Sequence, residues 1–212
     1  ARRGTGRAAH LDNRHRAKGA RAHALCDMGG ELISACLAQD PPPLGALEAT
    51  TSGLHQLRGK AVPFPVFDWN SIPLKDRLEN RFHVGDGLWP AFSHVTSLSL
   101  FGRRVLVVGF GPVGKGIAER ARKLGALVAV AERDPVRLIE AKHHGCEPVA
   151  LEVGLARGGV VVTATGVEGV LGPDQLKRVR PGTIVCNAGH SNREVDIDWL
   201  YRQPHRRMKA HV

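Results

Sequence analysis

Aromatic residues make up only 5% of the 212-residue chain, with a single tyrosine, and cysteine occurs four times (Cys26, Cys36, Cys146, Cys186) with no C-x-x-C pair. The first scarcity leaves few rings for stacking on bases. The second excludes a disulfide framework and a zinc knuckle. Cys146 and Cys186 stand in or beside apolar segments, which predicts buried free thiols of a reducing cytoplasm. No apolar run approaches the roughly 20 residues of a bilayer-spanning helix. The eleven histidines are scattered, and no carboxylate or cysteine is spaced to complete a metal site with the adjacent pair His143-His144, so no metal is expected. Acid is scarce at the two ends. Residues 1–24 carry seven Lys/Arg against one Asp12 and residues 201–212 carry four and no acid, so the net charge of +10 belongs to the ends and residues 25–200 balance at 19 of each sign. Basic tails without aromatic interleaving or a known binding module make nucleic acid an improbable partner. The chain opens on Ala, not Met, and is expected to be a piece of a longer protein.

What is present is punctuated apolar sequence. "AHALCDMGGELISACLAQ" reads as a short strand near 22–26, a Gly29-Gly30 turn and a helix through Leu32, Ile33, Cys36 and Leu37. "LEATTSGLHQL" (47–57) has too many β-branched and small polar residues for an ordinary amphipathic helix and predicts a turn offering the hydroxyls of Thr50, Thr51 and Ser52. "AVPFPVFDWN" is extended, because Pro63 and Pro65 restrict their neighbours. "LKDRLENRFHVGDGLWPAF" predicts a helix ended by a glycine break, with Lys75, Glu79 and Asn80 on one face. On helix geometry alone Lys75 and Glu79 are a surface ion pair.

From Arg104 the pattern is regular. "RVLVVGFGPVGKGIAERARKLGALVAVAERD" is strand, glycine-rich turn, helix, Gly125 and strand, followed by a helix over 135–144 and the strands "GVVVTATG" and "GTIVCNAGH". Runs such as VLVV, LVAV and VVVT, apolar on both faces and alternating with helices, predict a parallel sheet covered on both sides. The fold class expected is α/β: a Rossmann-type doubly wound parallel sheet with part of a second α/β domain. The predicted boundaries are a basic flexible segment over 1–24, a partial substrate domain over 25–90 and a dinucleotide-binding domain over 91–212.

Gly109, Gly111 and Gly114 form G-x-G-x-x-G between a strand and a helix. In that context the pattern serves a pyrophosphate: the first glycine makes the tight turn, the second admits the ligand to the backbone, and the third brings helix against strand. Glu132 ends the next strand, 18 residues after the third glycine. A carboxylate there accepts both ribose hydroxyls and repels a 2′-phosphate, so NAD is predicted over NADP, with Arg133 as the one opposing charge. Thr165-Gly166 and Asn187-Ala188-Gly189-His190 follow later strands at their carboxyl ends, the edge where such sheets hold ligands.

Taken together, "CDMGGEL", "LEATTSGLHQL", "WNSIPLKDRLEN", "GFGPVGKG", "AERDP", "TATG" and "CNAGHSNREVDIDWL" make the chain resemble S-adenosylhomocysteine hydrolases from about Cys26 to Leu200. The resemblance implies 3′ oxidation of an adenine nucleoside by NAD, C4′ deprotonation, elimination at C5′, addition of water, and return of the 3′ alcohol with NAD regenerated. It implies that Thr50, Thr51 and Ser52 hold the nicotinamide end, and that Lys75 deprotonates or polarises the 3′ hydroxyl. Glu79 then stands where the family has Asp beside the sugar, Asn70 and Asn80 orient the lysine and the nicotinamide, and His190 transfers a proton at the 5′ leaving group. The implied cofactor set comprises Thr50, Thr51, Ser52, Asn80, Gly109, Gly111, Pro112, Val113, Gly114, Glu132, Arg133, Arg137, Thr165, Gly166, Ala188 and Gly189. A homo-oligomer, typically a tetramer completed by a neighbour's C-terminal tail, is implied as well; that tail and a long N-terminal segment of the family are not among these residues.

Two departures stand out. Ala49 replaces a family glutamate just before the hydroxyl run, and Met28 replaces the second aspartate of an Asp-Asp-Gly-Gly stretch. Both missing carboxylates belong around the substrate sugar. The readings left open are hydrolysis of S-adenosylhomocysteine or a relative, a nucleoside 5′-dehydratase of an antibiotic pathway, and a catalytically silent NAD-binding paralogue.

Overall fold

The computed structural model describes residues 23–189 and 192–204. The basic segment expected over 1–24 lies, apart from its last two residues, outside the described residues. The chain divides into two compact units, residues 1–72 and 73–212.

In the first unit, β1 (Ala24–Asp27), β2 (Gly45–Glu48) and β3 (Val66–Asp68) form a parallel sheet in the order β1-β2-β3. Helices α1 (Glu31–Ala35) and α2 (Thr51–Leu57) connect them. Leu25, Ile33, Cys36, Ala46, Leu57 and Phe64 make its core. The stretch expected to be a turn is therefore a helix. Thr50 caps it, its side-chain oxygen accepting from Gly53 N at 3.0 Å, and this cap with the burial of Leu57 outweighs the weak propensity of Thr51, Ser52 and Gly53.

The second unit opens with a π-helix (Leu74–His83) that runs directly into α3 (Val84–Thr96). No break occurs at Gly85 or Gly87, contrary to the sequence expectation. Gly85 is a contact instead: a Cβ there would fall 2.7 Å from the Gly116 carbonyl oxygen, and one on Gly116 would fall 1.4 Å from that of Arg81. Trp89 closes the contact, its Nε1 donating to Ile117 O at 3.0 Å. Because this helix packs on the next one, it belongs to the second compact unit, which begins at Pro73.

Strands β4 (Arg104–Val108), β5 (Leu127–Ala131), β6 (Glu147–Pro148), β7 (Val160–Thr163) and β8 (Ile184–Asn187) form a parallel sheet in the order β6-β5-β4-β7-β8. Helices α4 (Pro112–Lys123), α5 (Pro135–His143), α6 (Leu151–Arg157), α7 (Pro173–Leu176) and α8 (Ile197–Arg202) follow in sequence. Alternate strand residues face opposite layers. Val105, Val107, Val128, Val130, Val160 and Val162 pack with Ile117, Ala118 and Trp89, while Leu106, Val108 and Val161 pack with Leu155, Leu171 and Leu176. This is a doubly wound α/β fold. Cys146 is buried here and Cys186 half-buried, and burial pushes both thiols up, away from the reactive thiolate. Among the described residues no helix is long and apolar enough to cross a membrane.

Candidate functional site

The glycine turn sits at the carboxyl end of β4, the central strand. Gly109 adopts φ 95°, open to glycine without penalty. A Cβ on Gly114 would fall 2.0 Å from Gly109 O, so only glycine lets α4 approach the strand. Among the described residues, a Cβ on Gly111 meets only Arg137 Nη1, at 3.7 Å. The space above this backbone is open, and a guanidinium borders it. Gly111 caps α4 without any side-chain hydrogen bond, and Pro112 and Val113 form the first turn. A helix start with no side-chain cap, glycine backbone and a nearby Arg137 make a cradle for a pyrophosphate.

Glu132 follows β5. Its Oε2 accepts from Phe110 N at 2.7 Å and its Oε1 from Arg133 N and Asp134 N at 2.6 and 3.1 Å. Three backbone donors fix the carboxylate beside the turn while its remaining lone pairs stay available to hydroxyls. Arg133 is exposed, and Arg137 Nε lies 3.6 Å from Asp134.

Across β4, the loops after β7 and β8 carry Thr165, Gly166, Ala188 and Gly189. Asn187 Oδ1 accepts from Gly189 N at 2.8 Å and orders the second loop. Glu194, from a 3₁₀ turn (Asn192–Glu194), is buried beneath the first. Its carboxylate accepts from Thr165 N (3.0 Å), Thr165 Oγ1 (2.8 Å) and Gly166 N (2.9 Å). Sequence reading missed this glutamate. Its signal was an acid in a segment that returns to the sheet edge. His190 lies outside the described residues.

The π-helix brings Lys75, Glu79 and Asn80 together, one wide turn apart. Lys75 Nζ lies 3.0 Å from Glu79 Oε1, with the lysine side chain 14% exposed and the glutamate 51%. A pair open to solvent on one side contributes only about 0.3–1 kcal/mol, too little to account for covering a lysine. Farther along, Arg81 grips Glu119 of α4 through Nη2 at 2.6 Å and Nε at 3.3 Å. That hydrogen bond holds the guanidinium pKa above its usual value. Glu119 also meets His144 Nδ1 at 2.9 Å, and Lys115 pairs with Glu140, whose carboxyl is held below the usual range chiefly by that bond. This ionic cluster and the Gly85–Gly116 contact fix the π-helix on the sheet that carries the glycine turn.

In the first unit two buried carboxylates dominate. Glu48, fully buried, accepts from Gly29 N (3.0 Å), Gly30 N (2.9 Å), Thr50 N (2.8 Å) and Thr50 Oγ1 (2.7 Å). Asp27 accepts from Met28 N and Ile33 N, both at 2.8 Å. Burial lifts the Asp27 carboxyl above its ordinary value, the two amides oppose this, and the Glu48 charge adds to it. Neither acid was singled out from sequence; both are acids ending an apolar parallel strand. Together they hold the Gly29-Gly30 turn beside the hydroxyl run. Thr50 faces inward to Glu48, whereas Thr51 is exposed and its Oγ1 accepts from Asn70 Nδ2 at 2.9 Å. Met28 is half exposed and Ala49 partly buried.

The model of the S-adenosyl-L-homocysteine hydrolase NAD-binding domain matches residues 80–212. The chain belongs to the S-adenosyl-L-homocysteine hydrolase family. NAD is its cofactor. Among the relatives, the S-inosyl-L-homocysteine hydrolases of Methanosarcina mazei and Methanopyrus kandleri are 37% and 35% identical over 161 residues, 74% of this chain and 39% and 38% of theirs. The adenosylhomocysteinase of Thermococcus kodakarensis is 32% identical over 201 residues, 91% of this chain and 48% of its own. The chain thus spans less than half the length of these relatives. A dipicolinate synthase chain from Bacillus halodurans has TM-score 0.60 at 19% identity, covering 81% of this chain and 58% of that one. Apo D-lactate dehydrogenase from Escherichia coli has 0.57 at 12%, covering 89% and 66%. Both show the fold alone.

For this family member, Glu132→Ala is expected to weaken NAD binding by about 1–3 kcal/mol, since hydroxyls and three backbone amides lose their acceptor. Calorimetric titration checks it. NADP binding as tight as NAD to the unaltered protein would contradict the role given to Glu132.

Proposed function

We propose that the chain is the core of an NAD-dependent hydrolase cleaving a purine-nucleoside homocysteine thioether by 3′ oxidation, C4′ deprotonation and elimination at C5′. The observation that carries this reading is the covered Lys75, held by Glu79 on a π-helix fixed to the dinucleotide fold. NAD, when bound, would supply the two-electron oxidant for the 3′ alcohol and, once reduced to NADH, the hydride that restores it. Lys75 takes the 3′ hydroxyl proton, and Glu79 holds the ammonium and accepts from the sugar. By the family resemblance Asn80 orients Lys75 and the nicotinamide end, and Asn70, Thr50, Thr51 and Ser52 are the first unit's candidates for the same roles. His190 carries the proton at the 5′ leaving group. The names of the relatives support inosyl as well as adenosyl substrates.

Met28 and Ala49 favour altered sugar recognition. A carboxylate at either position would make charge-assisted bonds to ribose hydroxyls of about 1.5–3 kcal/mol each. The protein is therefore expected to be poor on S-adenosylhomocysteine, and the Met28→Asp/Ala49→Glu variant to gain about one to two powers of ten per restored carboxylate. The test incubates the full protein and the variant with S-adenosyl- and S-inosylhomocysteine and with adenine nucleosides, products being identified by mass spectrometry. A 4′,5′-unsaturated nucleoside with no hydrolysis would favour the 5′-dehydratase. An NAD-bearing protein inert toward every substrate in both forms would favour the silent paralogue.

A further inference from the structure

We propose that Glu194 is a positioning residue for the nicotinamide half of NAD, acting through the loops after β7 and β8; this rests on NAD binding at the glycine turn. One buried carboxylate reaches both loops. It accepts from both amides of the Thr165-Gly166 turn and from the Thr165 hydroxyl, at 2.8–3.0 Å. Its Oε1 also fills the space of the second loop's missing side chain: a Cβ on Gly189 would fall 2.0 Å from it. Gly189 has no positive φ, so closeness to Glu194, not backbone strain, makes glycine fit there.

Sheet order assigns the half of the cofactor concerned. The pyrophosphate cradle follows β4, and Glu132 stands on the β5 side, where it takes the adenosine ribose. In the order β6-β5-β4-β7-β8 the remainder of a dinucleotide extends over β7 and β8. Those are the two strand ends that the Glu194 carboxylate meets, by hydrogen bonds at Thr165-Gly166 and by close approach at Gly189. A carboxylate accepts from all three donors at once. A glutamine of the same shape would turn an NH₂ toward at least one of them, leaving an amide facing a donor.

The test is calorimetric titration of NAD and of ADP into cofactor-stripped full protein, wild type and Glu194→Gln, with thermal melting of each. NAD affinity is expected to fall about tenfold or more while ADP affinity stays within about twofold, because ADP ends at the pyrophosphate. A purely structural role would move both ligands together. Equal losses for NAD and ADP, or an undiminished NAD affinity, would overturn the proposal. Wild-type protein that bound neither ligand would overturn the cofactor site itself and the proposal with it. If Glu194→Gln fails to fold, Glu194→Asp, which keeps the charge but withdraws it by one methylene, is expected to show the same split.

Discussion

Lys75→Ala is expected to lower turnover by about two to four powers of ten, the range of a lost general base, while NAD affinity and melting temperature stay close to those of the unaltered protein. The ion pair with Glu79 is open on the glutamate side and contributes little to stability. The π-helix is held from other positions, through Arg81, Gly85 and Trp89. Lys75→Arg separates charge from proton transfer. A guanidinium keeps the pair with Glu79 but does not give up its proton near neutral pH, so Arg is expected to be nearly as inactive as Ala. Steady-state rates and NAD titration of both variants check this. An active Lys75→Arg protein would show that only the positive charge is used.

Glu48→Ala is expected to destabilise the first unit by about 3 kcal/mol or more, since it strips the acceptor from three backbone amides and a hydroxyl at a site without solvent. Glu48→Gln should fall between the two, because one amide oxygen replaces two carboxylate oxygens. Gly53→Ala should act like Glu48→Ala, as its Cβ would fall 2.2 Å from the Glu48 carboxyl carbon. Urea unfolding of the three variants is the measurement. A Glu48→Ala protein as stable as wild type would mean that water satisfies the four donors.

Much of the dinucleotide half could be read directly from sequence. Runs such as VLVV and VVVT are apolar on both faces because helices cover both sides of the sheet. The glycines of the turn are forced by contacts local to one strand–helix junction. Glu132 ends the strand after that junction, and its spacing is set by one helix. Residues whose partners are distant in sequence were not legible. Glu48 and Asp27 draw their meaning from the Gly29-Gly30 turn, and Glu194 from a loop 28 or 29 residues away. The helix beginning at Thr51 was hidden by weak propensity and appears once its cap is seen. Gly85 and Gly87 resembled a break, yet Gly85 is demanded by the backbone of α4, a contact no local pattern encodes.

The π-winding of residues 74–83 gives this helix a tolerance of changes in its length. A one-residue insertion in a helix anchored at both ends normally forces the whole downstream surface to turn. Here the downstream part is pinned at Gly85 and Trp89, so added length is stored as wider turns and α3 keeps its register. Six residues of π-winding turn through nearly the same angle as five of α-helix, so losing one residue between Lys75 and Arg81 would tighten the winding toward 3.6 residues per turn and leave the lysine on nearly the same bearing. A single codon's gain or loss in this stretch is therefore taken up by the winding, which leaves both the core and the direction of the Lys75 side chain as they were.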